Sequence, residues 1–259
     1  MSAIFRPPLA GPFEVPAPAW FISDLHLTSG MPRTQAAFER LLERAERDVK
    51  ALFILGDFFE FWVGDDETAL PFPQRVASVL RALGERGVQV YLMHGNRDFL
   101  LGEHFAREAG ATLLPDPAVI ECAGRRVVLS HGDMLCRDEP AYNRFRHWTR
   151  KPWVQRFFLA LPLSTRQAVA RRLRADSEST RSGERAEVYG DVTPEAVSAL
   201  FASGQSRIMV HGHTHRAGHH ETADGERWVL TDWDLDGSKP RAAVLQLDQD
   251  GFAVLPQLD

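Results

Sequence analysis

Cysteine is almost absent from the 259-residue chain, which contains only Cys122 and Cys136. Two thiols without a CxxC pair supply neither a disulfide framework nor a zinc site built on thiolates. The sequence therefore excludes the disulfide-rich secreted domains, and it indicates a protein of a reducing compartment.

Long apolar segments and a secretory signal are also missing. The apolar run at residues 157–163 is far shorter than the roughly 20 residues that a membrane-spanning helix needs, and Pro162 interrupts it. The first eighteen residues contain five prolines and no signal-peptide pattern. We expect residues 1–18 to form a flexible, proline-rich leader, and we expect that the chain does not cross a membrane.

A net positive charge is lacking as well, because 30 Lys and Arg stand against 35 Asp and Glu. Nucleic-acid binding needs clustered basic residues, so the formal charge of −5 argues against a nucleic-acid partner. Residues 137–185 depart from this average, with 12 basic and 5 acidic residues and a local balance of +7. We expect this basic segment to meet an anionic surface, and no pattern indicates an obligate protein partner.

Five short apolar runs, each ending abruptly in polar residues, indicate the strands of the fold. They lie at residues 19–22, 51–55, 88–93, 126–129 and 207–210. Runs of this length predict buried strands, and Phe38, Leu41 and Leu42 show the helical spacing found between the early runs. We therefore expect a layered α/β fold in which residues 19–259 form one domain.

The segment after the fourth run breaks the alternation of strand and helix. Residues 140–185 are basic, rich in aromatic residues and helical in pattern. We interpret them as an inserted helical cap that spans about residues 138–190. Its basic residues predict contact with an anionic ligand or surface. The alternative is a cap that packs its own apolar face on the core and exposes a solvated basic face.

A side chain able to bind a metal ion follows each of the five runs. The candidate ligands are Asp24, His26, Asp57, Asn96, His131, His211 and His213. In an open α/β sheet, residues just past the strand ends gather along one edge, so these side chains are expected to converge. Nitrogen and oxygen donors without thiolate suit Mn²⁺, Fe²⁺ or Zn²⁺. Seven ligands are too many for one ion, and Asp57 is the expected bridge between two.

The motifs D-x-H, GD, GNxD, HGD and HGHTH resemble those of the calcineurin-like metallophosphoesterases, from about Asp24 to His215. The resemblance implies a four-layer α/β/β/α sandwich with the helical cap as an insertion. It also implies two divalent ions, with Mn²⁺ as the expected metal. It assigns Asp24, His26, Asp57 and His213 to one ion, and Asp57, Asn96, His131 and His211 to the other. His215 is expected to adjust the site without binding a metal.

A narrower set of strings is similar to the UDP-2,3-diacylglucosamine hydrolases of lipid A biosynthesis. These strings are LGDFFEFWVGDD, HGNRDFLLG, SHGDMLCRDEPAYNRFR, KPWVQRFFLALPL and RADS. The resemblance implies attack of water on the α-phosphorus of the lipid nucleotide, which gives UMP and 2,3-diacylglucosamine 1-phosphate. It also implies a cytoplasmic enzyme that is peripheral on the inner membrane. With this substrate, the aromatic residues of the cap are expected to line a chamber for the acyl chains, and its arginines to meet anionic headgroups.

The expected catalytic residues are Asp57, Asn96, Arg97 and His131. Many relatives of the wider family have His-Glu after Gly-Asn, where this chain has Arg97-Asp98. A phosphate monoester leaves as a stable anion, with a second pKa of about 6, so a charged guanidinium that binds phosphate suits pyrophosphate cleavage better than an acid. The alternative is that Arg97 only pairs with Asp98 to brace the loop.

The resemblance also implies a set of substrate contacts. They are Asn96, Arg97, Glu139, Tyr142, Arg174, Ser177, Arg181 and His211. Glu139 stands where the family usually has Asp, and residues 180–184 lack the expected Lys.

Two other functions stay open at this point. One is a two-metal phosphodiesterase or phosphatase that acts on a soluble nucleotide or phosphoester. The other is a scaffold that has the fold without catalysis. A scaffold is expected to have lost ligands, and an enzyme for soluble substrates has no need of an apolar, basic cap.

Overall fold

The computed structural model describes residues 9–138, 140–181 and 191–256, without the side chains of residues 141, 176–181 and 256. Within these ranges the strands are β1 (Ala10–Val15), β2 (Ala19–Ile22), β3 (Ala51–Leu55), β4 (Gln89–Met93), β5 (Ala111–Leu114), β6 (Ala118–Cys122), β7 (Arg125–Ser130), β8 (Ile208–His211), β9 (Gly218–Glu221), β10 (Glu226–Val229), β11 (Ala243–Asp248) and β12 (Gly251–Pro256). The α-helices are α1 (Pro32–Asp48), α2 (Pro71–Glu85), α3 (Glu103–Glu108), α4 (Pro140–Thr149), α5 (Pro152–Leu159), α6 (Leu163–Arg181) and α7 (Pro194–Gly204). Short 3₁₀ turns lie at Asp65–Ala69 and Asp133–Leu135.

The strands form two mixed sheets of six strands each. Sheet I has the order β12-β11-β2-β3-β4-β5, in which β2 to β5 run parallel and β11 is antiparallel to β2. Sheet II has the order β1-β6-β7-β8-β10-β9, in which β7, β8 and β10 run parallel. Every residue of β2 and β3 is buried, because parallel strands at the centre of such a sheet are covered on both faces.

Three apolar clusters hold the layers together. One lies between sheet I and the helices α1 and α2, and a second lies between the two sheets. The third lies between sheet II and α7. Between the sheets, Phe53 stacks on Phe21 and on Tyr91, with ring centroids 4.9 and 4.6 Å apart. The predicted α/β/β/α sandwich is therefore confirmed.

The predicted flexible leader is wrong for residues 10–15. This segment is β1, which pairs in parallel with β6 at the edge of sheet II. Val15 is buried and Phe13 packs on the cluster between the sheets, so two apolar side chains and a strand ladder order the segment despite its prolines. Residues 1–8 lie outside the described residues.

Three helices, α4 to α6, occupy the segment predicted to be the cap. No residue of α5 is buried. Four large apolar side chains of α4 and α5 expose about half of their surface or more: Phe145, Trp148, Trp153 and Phe157. No helix in the described part of the chain is long and apolar enough to cross a membrane. The cap as a separate insertion, with its limits near residues 138 and 190, stays a prediction.

Replacing Phe53 by Ala should lower the free energy of unfolding by about 3–5 kcal/mol, because the change leaves a cavity between the two sheets. Urea unfolding of the purified protein measures this loss. Val254, whose side chain is exposed on β12, is the matched control, and Val254→Ala should change stability by less than about 0.5 kcal/mol. A similar loss in both variants would contradict the packing described above.

Candidate metal centre

The loops that follow five strands meet at one end of the sandwich. Residues after β2, β3 and β4 come from sheet I, and those after β7 and β8 come from sheet II. Backbone hydrogen bonds join the loops, from Asp24 N to Gly56 O at 3.0 Å and from Gly212 N to His131 O at 2.9 Å. The shared edge predicted from the sequence is thus the place where both sheets end together.

Unusual backbone conformations are concentrated in these loops. The non-glycine residues with positive φ in the described part of the chain are Asp24, His26, Asp57, Ala123, Gln205, His213 and His215. Five of these seven are aspartates and histidines of the candidate site. Such conformations cost free energy and typically persist where surrounding structure enforces them at a functional site.

Two groups of donors, each able to hold a metal ion, lie side by side. The first consists of Asp24, His26 and His215, and the second of Asp57, His131 and His213. Within each group the ligand atoms lie within 4.8 Å of one another.

Asp57 connects the two groups. Its Oδ2 lies 3.9 Å from Nε2 of His26, and its Oδ1 lies 3.7 Å from Nε2 of His131. Asn96 extends the second group, with Oδ1 3.1 Å from Nε2 of His131. A carboxylate with one oxygen toward each group has the position that a bridging ligand requires.

His211 lies outside the two donor groups, and its predicted role as a metal ligand stays a prediction. Its Nδ1 donates to the carbonyl of Gly212 at 2.8 Å, and its Nε2 accepts from Nη1 of Arg227 at 3.0 Å. The side chain is completely buried, and its predicted contact with substrate also stays a prediction.

His215 takes the place that the sequence assigned to a neighbouring histidine. It joins the group of Asp24 and His26, whereas His213 joins the group of Asp57 and not the first group as expected. The prediction assumed that alternate residues point the same way, as they do in a strand. Strand β8 ends at His211, and the positive φ of His213 and His215 turns both side chains toward the site.

The donor atoms fit divalent cations. Asp24 Oδ1 and His26 Nδ1 are buried and have no hydrogen-bond partner. Buried polar atoms normally make a hydrogen bond, so a buried oxygen and a buried nitrogen without one indicate that a ligand binds there. His131 Nδ1 lies 3.0 Å from the carbonyl of Leu55, and donation to it would orient the ring with Nε2 facing Asp57 and Asn96.

Ionisation of the cluster is strongly perturbed. Burial, together with the carboxylate of Asp24, raises the pKa of Asp57 to about 7. Burial alone lowers the pKa of His131, but Asp57 and Asp24 outweigh it and raise that pKa to about 9. Burial and the charge on His131 lower the pKa of His213 to about 3. Without cations, protons held by Asp57 and His131 balance the negative charge of the cluster. Bound cations would supply that positive charge instead.

Arg97 does not pair with Asp98. The carboxylate of Asp98 accepts from the backbone N–H groups of Gly95 and Phe58, at 2.7 and 2.8 Å, and so braces the loop. Arg97 instead pairs with Glu60 at 2.9 Å, and Arg174 also pairs with Glu60. Glu60 thus holds two guanidinium groups on one side of the donor groups.

The other predicted substrate contacts divide in two. Tyr142 lies at the site, with its ring centroid 6.3 Å from that of His213 and its hydroxyl donating to Asp133 at 2.8 Å. Glu139 and the side chains of Ser177 and Arg181 lie outside the described residues.

The sequence reasoning missed several residues that support the site. Asp133, completely buried, accepts from Nε of Arg146 at 2.7 Å, and Arg150 donates to the carbonyl of Gly95 at 2.8 Å. Asp232 lies 3.5 Å from Nδ1 of His215. Asp133 stands in the HGD motif, which is a usable signal, whereas Asp232 is distant in sequence from every motif considered.

Comparisons with known proteins found matches over most of the chain. The family model of the calcineurin-like phosphoesterases matches residues 17–217. A UDP-2,3-diacylglucosamine hydrolase of Ralstonia nicotianae is 54% identical over 251 residues, which cover 94% of this chain and 93% of that protein. A UDP-2,3-diacylglucosamine hydrolase of Pseudomonas aeruginosa is 45% identical, with coverage of 91% and 97%. Among solved structures, an archaeal phosphodiesterase covers 93% of this chain and 99% of its own at 11% identity and a TM-score of 0.47.

Replacing His215 by Ala should reduce bound Mn²⁺ from about two ions per chain to about one, because the first donor group loses a nitrogen. His211→Ala is the matched control and should retain about two ions. Metal analysis after dialysis measures both, and circular dichroism verifies that both variants are folded. The reverse pattern would identify His211 as the ligand, as predicted from the sequence, and overturn the assignment of the two groups.

Proposed function

The chain belongs to the calcineurin-like phosphoesterases and, within them, to the UDP-2,3-diacylglucosamine hydrolases, and from this membership we propose its reaction. The protein hydrolyses the pyrophosphate bond of UDP-2,3-diacylglucosamine in lipid A biosynthesis. Water attacks the α-phosphorus, and the products are UMP and 2,3-diacylglucosamine 1-phosphate. The observation that carries this proposal is the placement of Asp57 between two donor groups, next to the arginines held by Glu60. The alternative of a soluble phosphoester as substrate is not favoured by these relatives.

Divalent metal ions are implied by the family, and the two donor groups fit two of them. We assign Asp24, His26, Asp57 and His215 to one ion, and Asp57, Asn96, His131 and His213 to the other. His211, the ligand of the second ion predicted from the sequence, is the alternative to His213 there. Mn²⁺ suits these nitrogen and oxygen donors, which include no thiolate. When bound, such a pair of ions polarises phosphoryl oxygens and makes a water molecule nucleophilic at neutral pH.

Arg97 and Arg174 bind the pyrophosphate. A guanidinium keeps its charge at every physiological pH and can make two parallel hydrogen bonds to a phosphate. The departing sugar phosphate is a stable anion, so Arg97 acts by binding charge and no proton donor is required. Glu60, which is 8% exposed, aligns both arginines before the substrate arrives.

Asn96 and His131 complete the catalytic set with Asp57. The backbone N–H of Arg97 donates to Asp57 Oδ1 at 2.8 Å, so the loop that carries Asn96 and Arg97 is fixed to the bridging carboxylate. One short loop therefore carries both a metal ligand, Asn96, and a phosphate-binding group, Arg97. A small displacement of this loop would misalign the phosphate for in-line attack and slow the reaction.

The exposed aromatic residues of α4 and α5 contact lipid. Trp153 and Phe157 expose 60% and 73% of their surface, which is unusual for side chains of their size. Nζ of Lys151 lies 4.4 Å from the ring centroid of Trp148, so a basic group lies next to these aromatic side chains. We propose that the face binds the acyl chains and an anionic membrane, with the enzyme peripheral on the cytoplasmic side of the inner membrane. We propose neither a nucleic-acid ligand nor an obligate protein partner.

The purified protein with Mn²⁺ should release UMP from UDP-2,3-diacylglucosamine, and Asp57→Ala should reduce the rate by about a thousandfold or more, because both ions lose a ligand. Chromatographic quantification of UMP measures the rate. Asp250→Ala, at an exposed turn, is the control and should retain full activity. Equally fast hydrolysis of a UDP-sugar without acyl chains would contradict the lipid assignment.

Replacing both Trp153 and Phe157 by Ser should weaken binding to vesicles that contain anionic phospholipid by about tenfold or more, because two large apolar side chains no longer insert. Co-sedimentation at low salt measures the binding. Val254→Ser changes an exposed apolar residue outside the cap and should leave binding unchanged. Unaltered binding of the double variant would place the membrane contact elsewhere.

A further inference from the structure

One short segment connects the donor groups to helix α6. It begins at Asp57, continues through Glu60, and ends at Asp66 in the 3₁₀ turn Asp65–Ala69. Glu60 pairs with Arg174 in the second half of α6, and Asp66 pairs with Arg166 near the beginning of the helix. The helix is therefore attached to this segment at two points.

Arg166 makes the more extensive of the two attachments. Its Nη1 and Nη2 donate to the two carboxylate oxygens of Asp66, and Nη1 also donates to the carbonyl of Val63. Its Nε donates to the carbonyl of Leu161 at 2.9 Å. Hydrogen bonding to Arg166 lowers the pKa of Asp66, which keeps that carboxylate ionised at neutral pH. The guanidinium thus joins the start of α6 to the segment through an ion pair with Asp66 and a hydrogen bond to the backbone carbonyl of Val63.

The neighbouring residue strengthens this junction. Gln167 donates to Oε1 of Glu67 at 2.9 Å, while Oε2 of Glu67 accepts from the backbone N–H of Val63 at 2.9 Å. A Cβ atom at Gly64, where φ is +140°, would lie 2.4 Å from Nη1 of Arg166. Only glycine therefore allows the helix to approach the segment this closely.

The segment is itself rigidly attached to the body of the protein. Asp65 Oδ1 accepts from the backbone N–H of Gly102 at 2.7 Å, and Asp65 Oδ2 accepts from that of His104 at 2.9 Å. The indole of Trp62 donates to the same carboxylate at 3.1 Å. Asp65 thus accepts hydrogen bonds from N–H groups that have no partner within α3. Because these bonds fix the segment to the body of the protein, α6 is attached to a rigid part of the structure.

Arg166 is far more buried than the other side chains of the three helices α4, α5 and α6 that the structure describes. Among the side chains of α4, α5 and α6 that the structure describes, Arg166 alone is buried, with 3% of its surface exposed. Helix α4 is held through other pairs, from Arg146 to Asp133 and from Arg150 to Gly95. Among the described side chains of α6, Arg166 makes the one fully buried contact with the body of the protein, and Arg174 meets Glu60 farther along the helix.

We infer that Arg166 and Asp66 form a clamp that positions Arg174 for the lipid nucleotide. Arg174 lies eight residues beyond Arg166, about 12 Å along the helix axis. Small rotations of α6 about its start are magnified at that distance, and the clamp suppresses them. Arg166 is therefore a positioning residue that sets substrate affinity without touching the substrate, an inference that rests on the proposed function.

The test compares Arg166→Met with the wild-type enzyme in steady-state hydrolysis of detergent-dispersed UDP-2,3-diacylglucosamine. We expect KM to rise by about tenfold while kcat falls by less than about threefold, because binding groups are displaced and the metal centre is intact. Bound Mn²⁺ per chain should be unchanged. Asp66→Asn, a milder change on the other side of the clamp, should raise KM less and in the same direction.

Arg75→Met is the matched control, because Arg75 makes an equivalent two-point pair with Glu39 between α2 and α1. Its KM should equal that of the wild type. Hydrogen exchange gives a readout independent of substrate: amides of residues 163–175 should exchange faster in Arg166→Met and at the normal rate in Arg75→Met. An unchanged KM with unchanged exchange would overturn the clamp, as would a loss of bound Mn²⁺ in proportion to activity. Failure of the wild type to release UMP would instead refute the proposed function, and the exchange result would still decide the clamp.

Discussion

Asp57 lies between two groups of histidine and carboxylate donors with 2% of its surface exposed. A buried charge is costly unless hydrogen bonds or cations balance it, and the rise of its pKa to about 7 reflects that cost. Its backbone is left-handed, and the adjacent loop approaches so closely that a Cβ atom at Gly95 would lie 2.1 Å from its Oδ1. The two sheets, packed through their shared apolar cluster, hold this arrangement in place.

The same carboxylate begins the segment that reaches the cap. Over ten residues the chain provides the proposed bridging ligand Asp57, an acid that pairs with two arginines, and an acid that pairs with α6. Metal chemistry and lipid recognition are therefore connected through covalent neighbours, and a change in one is expected to affect the other. Most of the surface of α4, α5 and the described part of α6 is exposed, which suits the proposed contact with acyl chains and a membrane. Few polar contacts hold these helices to the rest of the protein.

Much of this arrangement follows from local patterns. Apolar runs of four to six residues identified the strands that carry the site, and the donors just past them identified Asp24, His26 and Asp57. The family resemblance rested on the same motifs, and the match over residues 17–217 agrees with it. Prolines misled the interpretation of residues 10–15, because the pairing that orders them is with β6, about a hundred residues away.

Residue type and spacing by themselves determined the fold class, the kind of metal site and the family, because strand periodicity and donor chemistry are local properties. Only the tertiary structure placed His215 in a donor group and Arg227 beside His211, since the side-chain directions depend on where β8 ends and on how Arg227 is buried. It likewise decided that Glu60 pairs with Arg97 and Arg174, and that Arg166 meets Asp66 across a hundred residues. Contacts between distant segments depend on how the layers pack, which no short stretch of sequence contains.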